Sequence, residues 1–201
     1  MPDSIVSIGG HSFQNRLEKL KTIWGITTTP INNNITTIGE FAFAGATIKT
    51  SVIAVKALPS KLVTLGNNAF ENNDSITFAV IPDNLTELPY RCFYKCRNLV
   101  IDTFGGGNSK LTTIGAQCFR MAGQYAEVKP TILYIGANIT SIGDTAFYRY
   151  GHEDATTVTA IYTPLREGDI DLDIERIFGN NDAGDGTLTS EDIMINYGSD
   201  I

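Results

Sequence analysis

The sequence predicts a repeat solenoid of about six stacked coils, built on a parallel β-sheet with short helical or irregular segments. An aliphatic residue, two polar or small residues, a second aliphatic residue and usually Gly recur along the chain, with Phe four positions after the Gly. Successive copies begin 30, 27, 23, 26 and 28 residues apart, which is typical of solenoid coils. One such coil cannot bury its own apolar face, so we expect the coils to stack with their Phe residues in one ladder.

Six copies of the motif share one register. The residue before each Phe is Ser, Ala or Cys, which allows neighbouring coils to approach closely. The Gly predicts a tight turn, and the proline that replaces it in the fourth copy predicts a turn of another type. The copies are Ile5–Gly9 with Phe13, Ile35–Gly39 with Phe43, Leu62–Gly66 with Phe70, Leu85–Pro89 with Phe93, Leu111–Gly115 with Phe119, and Ile139–Gly143 with Phe147.

A second, β-branched or aromatic segment after the Phe predicts a strand in several coils. The stretch between the Phe and this strand is long enough for about two helical turns, with the best helical spacing in 13–20. Residues beyond the basic coil form insertions at 27–34, 105–107 and 121–129, which are either binding loops or merely tolerated surface loops. The predicted strands are Ile76–Pro82, Leu99–Ile101, Ile132–Ile135 and Val158–Tyr162.

The formal net charge of -7 is unevenly distributed. Residues 165–201 carry a local charge of -8, whereas residues 1–164 carry +1. We therefore predict a repeat body over 1–164 and an acidic C-terminal appendage over 165–201. Within the appendage, Ile170, Ile174, Ile177 and Phe178 have the spacing of a short amphipathic helix.

The segment 181–192 resembles a calcium loop of the EF-hand or dockerin type. Asn181, Asp185, Thr187 and Asp192 fall at loop positions 1, 5, 7 and 12, and a Gly occupies the sharp-turn position. Position 3 is Ala183, which has no ligating oxygen. Calcium is the one cofactor that the sequence suggests, and an Asp/Gly-rich turn with Ser190 as a helix cap is the alternative.

The stretch Leu85-Thr-Glu-Leu88-Pro-Tyr-Arg-Cys92-Phe93-Tyr-Lys-Cys96-Arg-Asn-Leu99 resembles the BspA-type (Treponema pallidum-type) leucine-rich repeat. That repeat reads roughly L-x-x-I-x-x-x-A-F-x-x-C-x-x-L, and the resemblance extends over about residues 1–164. It implies a curved solenoid with a parallel sheet along one side. It also implies a bacterial surface or secreted location and a role in adhesion or in binding proteins and other host macromolecules.

The composition excludes several classes of function. A near-neutral body lacks the basic face of a nucleic-acid binder, and no apolar stretch is long enough for a transmembrane helix. The N-terminus shows no secretory signal peptide. The two histidines have no evident catalytic partners, and Cys92 and Cys118 stand at the small position before Phe, so we expect no enzymatic activity.

The first functional hypothesis is therefore a non-enzymatic binding or adhesion module. It would recognise a protein or cell-surface partner through the solenoid face and insertion loops, in an extracellular or surface-exposed location. The alternative is a structural or receptor-binding component of a larger assembly such as a phage virion, because the first coil lacks a polar cap. In that case other subunits would dock on the solenoid ends.

Overall fold

A computed structural model describes residues 4–15, 34–45, 58–77, 80–153, 156–179 and 191–199. Within these residues the chain forms a solenoid of short parallel strands, which confirms the predicted fold class. In each two-residue strand the second side chain is buried and the first faces outward. The strands are β1 (Ser7–Ile8), β2 (Thr37–Ile38), β3 (Thr64–Leu65), β4 (Glu87–Leu88), β5 (Thr103–Phe104), β6 (Thr113–Ile114), β7 (Ile132–Ile135), β8 (Ser141–Ile142), β9 (Ala160–Thr163) and β10 (Met194–Tyr197).

The motif phenylalanines form the predicted ladder in the core. Neighbouring rings are stacked with centroids 5.3 to 5.6 Å apart, a favourable separation for aromatic pairs. The ladder continues one rung beyond the six motif copies, because Phe178 stacks on Phe147 at 5.6 Å. Each coil thus completes its core with the rings of its neighbours. The rungs are Phe13, Phe43, Phe70, Phe93, Phe119, Phe147 and Phe178.

The strands pair in three parallel sheets. The motif strands form two sheets, in the orders β1-β2-β3 and β4-β6-β8. The strands after the Phe form a third sheet, in the order β10-β9-β7-β5. Strand pairing therefore joins equivalent segments of neighbouring coils, as a solenoid requires.

The motif sheet is divided at Pro89. In coils two, three, five and six the Gly at this position donates its N–H to the carbonyl of the second aliphatic residue in the preceding coil, as Gly115 does to Leu88 at 2.7 Å. Proline has no N–H, so the corresponding bond from the fourth coil to Leu65 cannot form. The Phe ladder still crosses this junction, from Phe70 to Phe93 at 5.6 Å.

The motif glycines of coils two, three, five and six are required for close approach rather than for a turn with positive φ. A Cβ on Gly115 would lie 2.8 Å from the carbonyl carbon of Pro89 and 2.8 Å from the nitrogen of Tyr90. Both are backbone atoms of the preceding coil and cannot swing away. The sequence analysis attributed the Gly to a tight backbone turn, and this explanation is wrong for Gly115.

The predicted helical turns after the Phe do not form in coils three to six, whereas residues 16–20 of the best-spaced segment, 13–20, lie outside the described residues. In all six coils the residue two positions after the Phe has a positive φ, between 52° and 71°. The residue two positions before the Phe also has a positive φ, between 52° and 58°, and is not Gly in any coil. A left-handed residue such as Lys95 (φ 56°) or Met121 (φ 60°) interrupts a right-handed helix. The chain instead makes a tight turn around the ladder, with both flanks of each Phe bent.

The predicted second strands agree with the structure in part. Ile132–Ile135 is β7, and the segment 158–162 overlaps β9. The segment 99–101 precedes β5 rather than forming it, and within the described part of 76–82 only an isolated bridge at Ile76 forms.

The described part of the C-terminal segment packs on the last motif coil. The predicted helix forms only over α1 (Ile174–Phe178), because Ile170 lies in an isolated bridge before it. α1 is capped by Asp173, whose carboxylate accepts from the Arg176 N–H at 3.0 Å. Phe147 N–H donates to the Ile177 carbonyl at 3.1 Å, and β10 pairs with β9. The boundary at residue 164 stays a prediction, but this segment adds a rung and a strand to the solenoid.

Candidate interaction surface

The predicted calcium ligands lie mostly outside the described residues. Asn181, Asp185 and Thr187 belong to the stretch 180–190, which the structure does not describe. Asp192 is exposed in a turn just before β10. Within the described ranges, no three His, Cys, Asp or Glu side chains come together in a way that could hold a metal ion. The calcium loop therefore stays a prediction.

The three cysteines belong to the core. Cys92, Cys96 and Cys118 are fully buried, and desolvation raises the pKa of each thiol above its ordinary value. A thiol held in its neutral form is a poor nucleophile. Cys96 donates its S–H to the Phe70 carbonyl at 2.9 Å. These residues serve packing between coils.

One predicted insertion loop, 121–129, presents an exposed aromatic side chain. Lys129 donates from Nζ to a carbonyl inside the loop at 3.0 Å and so holds its two ends together. Tyr125 is 57% exposed, and its ring centroid lies 4.7 Å from the Arg97 guanidinium. The other long insertion, 27–34, lies outside the described residues except for its last member.

The position directly after each ladder Phe forms a column along one edge of the solenoid. In coils four to six this column reads Tyr94, Arg120, Tyr148. The guanidinium carbon of Arg120 lies 4.2 Å from the Tyr148 ring centroid. The Lys95 N–H donates to the Arg120 carbonyl at 2.9 Å, which places coils four and five side by side here. The column therefore alternates aromatic ring and cation.

Further cations lie on these rings. The Arg91 guanidinium is 4.0 Å from the Tyr94 centroid, and the Lys95 ammonium is 5.2 Å from the same ring. The Arg149 guanidinium lies 5.0 Å from the Tyr148 centroid. We call the group the arginine–tyrosine surface; it consists of Tyr90, Arg91, Tyr94, Lys95, Arg120, Tyr148 and Arg149.

Ion pairs engage charged groups in and beside the arginine–tyrosine surface. Arg91 forms an ion pair with Glu71 at 3.3 Å. The adjoining Arg97 is paired with Asp74 at 2.7 Å. Asp144, on the same turn of coil six, pairs with Arg176 at 3.4 Å. The charges in and beside the surface are thus partly compensated by ion pairs within the chain.

Sequence reasoning did not identify this surface. The charge of the body was summed over 164 residues, and the net value of +1 hides a local cluster of cations. The available signal was the identity of the residues flanking Phe in copies four to six, namely Tyr94, Lys95, Arg120, Tyr148 and Arg149. Aligning the copies and comparing only these outward positions would have revealed it.

Among the described residues, no helix has the length and apolarity to cross a bilayer. A sequence model described as a BspA type leucine-rich repeat region matches the chain in six copies, over residues 1–56 and 23–154. The chain is also similar to a leucine-rich repeat protein from Bacteroides ovatus whose crystal structure is known. The identity is 17%, the match covers 89% of this chain and 49% of that one, and the TM-score is 0.41. The chain thus spans about half the length of that protein. No curated protein matches the chain.

Proposed function

The chain belongs to the BspA-type leucine-rich repeat family, and we propose that it is a non-enzymatic module that binds a protein partner at a cell surface. The family's repeats are typical of protein-interaction or surface modules and are generally non-enzymatic. The proposal adds adhesion as the role, an extracellular or surface-exposed location, and the arginine–tyrosine surface with the neighbouring Tyr125 as the contact region.

The composition of the contact region carries this proposal. Tyr and Arg are enriched among the residues that contribute most to protein–protein binding. Tyr90 is 42% exposed and Tyr125 is 57% exposed, so both can bury area against a partner. The backbone beneath them is fixed by coil-to-coil hydrogen bonds, such as Phe93 N–H to the Cys118 carbonyl at 3.0 Å. A rigid base reduces the entropy lost on binding.

A bead-adhesion assay tests this function. Beads that carry the intact chain are applied to surfaces coated with individual extracellular proteins, with and without prior protease treatment of the coat. We expect saturable attachment to at least one coat, lost after protease treatment. Tyr125→Ala should weaken attachment. The control Val63→Ala shortens a side chain that is 49% exposed in the coil that contains β3, and it should leave attachment unchanged. Attachment that survives protease, or no attachment to any coat, would contradict the proposal.

A second candidate is a subunit of a larger assembly that docks at the first coil. Phe13 is only partly buried, whereas the other six rungs of the ladder are buried. A neighbouring subunit stacked on this rung would complete its burial. Sedimentation velocity of the purified chain tests this candidate: self-association that Phe13→Asp abolishes supports it, and a monomer at all concentrations argues against docking between copies.

A further inference from the structure

We propose that the outer edge of β10 binds an extended basic segment of a partner protein, which adds to the third sheet as one more strand. The contact region is the C-terminal edge, which consists of Leu165, Glu167 and Met194–Tyr197. This inference goes beyond the proposed function, since it concerns another surface and does not depend on the arginine–tyrosine surface. It is carried by the backbone of β10, by the side chains beside it and by the charge of this end of the chain.

The backbone of the C-terminal edge is available for strand pairing. β10 stands at the end of the order β10-β9-β7-β5, and among the described residues no strand pairs with its other side. The Met194 N–H donates to the Thr159 carbonyl at 3.0 Å, on the side of β9. Because alternate residues of a strand direct their N–H and C=O groups to opposite sides, those of Ile195 and Tyr197 point outward. An extended segment of a partner can bond to these groups, which is the recognition mode called strand addition.

The strand β10 lacks the features that commonly protect an edge. Natural edge strands often carry Lys or Pro, or are twisted away by a bulge. β10 reads Met-Ile-Asn-Tyr and pairs with β9 through all four of its residues. Met194 is 65% exposed. The edge is therefore suited to pairing with another chain.

The apolar side chains of the C-terminal edge are only partly covered. Leu165, Ile195 and Tyr197 pack against the hydrophobic core and are partly buried. The β9 residues in register with the last two, Ile161 and Thr163, are fully buried, and β10 lies beside them. A further strand next to β10 would bury Ile195 and Tyr197 in the same way, so its binding would also remove apolar area from water.

The charge of this end favours a basic partner. Residues 165–201 contain ten Asp or Glu and two Arg, a net charge of -8, which ion pairs inside the segment do not change. Burial, and then the charge of Glu167, raise the pKa of the Tyr197 hydroxyl, which indicates that this carboxylate lies beside the edge. A second copy of the chain would bring the same negative charge to the edge and be repelled, whereas Lys or Arg side chains would be attracted.

The test is binding of the intact chain to a fluorescein-labelled peptide of alternating Lys and Val, twice the length of β10, followed by anisotropy. We expect saturable binding that weakens as salt rises, because exposed charges are screened. Two further peptides carry N-methyl groups either on every Lys or on every Val. Only one of these two sets of N–H groups can face β10 in an added strand, so one methylated peptide should lose binding and the other should keep it. Equal affinities of the two would overturn the proposal, because they would show attraction without strand pairing.

A pair of protein variants locates the peptide. Glu167→Lys should raise the Kd about fivefold, since it replaces an attraction by a repulsion. The matched control Glu87→Lys makes the same charge change at an exposed carboxylate on β4, and it should alter the Kd by less than about twofold. Equal losses in the two variants, or equal binding of a peptide of alternating Glu and Val, would contradict the assignment. So would a dimer in sedimentation velocity that the peptide dissociates, because a second copy would then be the occupant of the edge.

Discussion

Phe93 is an interior rung of the aromatic ladder, and its replacement by alanine measures how strongly one coil depends on the next. The side chain is fully buried and stacks on Phe70 at 5.6 Å and on Phe119 at 5.3 Å. Large-to-small replacement of a buried Phe costs about 3 to 5 kcal/mol. Because Phe93 has aromatic neighbours on both sides, we expect the upper half of that range, about 4 kcal/mol or more.

Three comparison variants make the value interpretable. Phe13 is partly buried and has one ladder neighbour, Phe43 at 5.3 Å, so Phe13→Ala should cost about half as much. Phe41→Ala removes a phenylalanine that stands outside the ladder and stacks on His11, and it should cost about 1 kcal/mol or less. Phe93→Leu keeps most of the volume and isolates the loss of stacking, about 1 to 2 kcal/mol.

The measurement is urea unfolding followed by far-ultraviolet circular dichroism, with the free energy of unfolding and the m-value fitted for each variant. An unchanged m-value would show that the whole array still unfolds as one unit. A cost for Phe93→Ala below about 1.5 kcal/mol, or equal to that of Phe13→Ala, would refute the view that the ladder couples the coils.

Three further predictions concern other parts of the structure. Gly115→Ala should destabilise the fold by about 1 to 3 kcal/mol in thermal melts, because its Cβ would meet the backbone of the preceding coil, whereas Gly9→Ala, with only a side-chain atom at 3.5 Å, should be nearly neutral. Burial raises the pKa of Cys92 and Cys118, so both thiols stay protonated in the folded chain, whereas in the unfolded chain they ionise above their ordinary pKa. The free energy of unfolding should therefore be constant below about pH 8.5 and decrease above it. In the double variant Cys92→Ala/Cys118→Ala this decrease should be less steep. The calcium-loop interpretation predicts a melting temperature that rises with calcium and returns with chelator, with no rise in Asp185→Ala; no rise in the unchanged chain would favour the Asp/Gly-rich turn.

The interior of the fold was predictable because its chemistry repeats. Any residue that faces the core, such as Phe119 or Ile114, meets its own equivalent in the next coil, so the sequence register directly gives the stacking. The close approach behind Gly115 was not predictable, since it depends on backbone atoms of another coil. The helical turns were wrongly predicted because apolar spacing does not reveal that Met121 has a left-handed φ of 60°.

The exterior was less predictable for a different reason. Tyr94, Arg120 and Tyr148 are 26 and 28 residues apart in sequence and become neighbours only through stacking. The seventh rung was missed as well, because Phe178 follows Ile177 rather than a small residue and lacks the upstream Gly motif. The helix around it was predicted from its own periodicity, but its contact with Phe147 was not.

The missing N–H of Pro89 has a mechanical consequence. In a stacked array each coil is held only by its neighbours, so the weakest junction determines where the array first separates. Between coils three and four the motif strands are unpaired, and the coils are joined by the aromatic stack, the turn hydrogen bonds and the ion pairs of Arg91 with Glu71 and of Arg97 with Asp74. A pulling force applied along the axis should therefore open the solenoid first at this junction. The arginine–tyrosine surface lies wholly on the C-terminal side of it, so a partner bound there would remain on one intact mechanical unit.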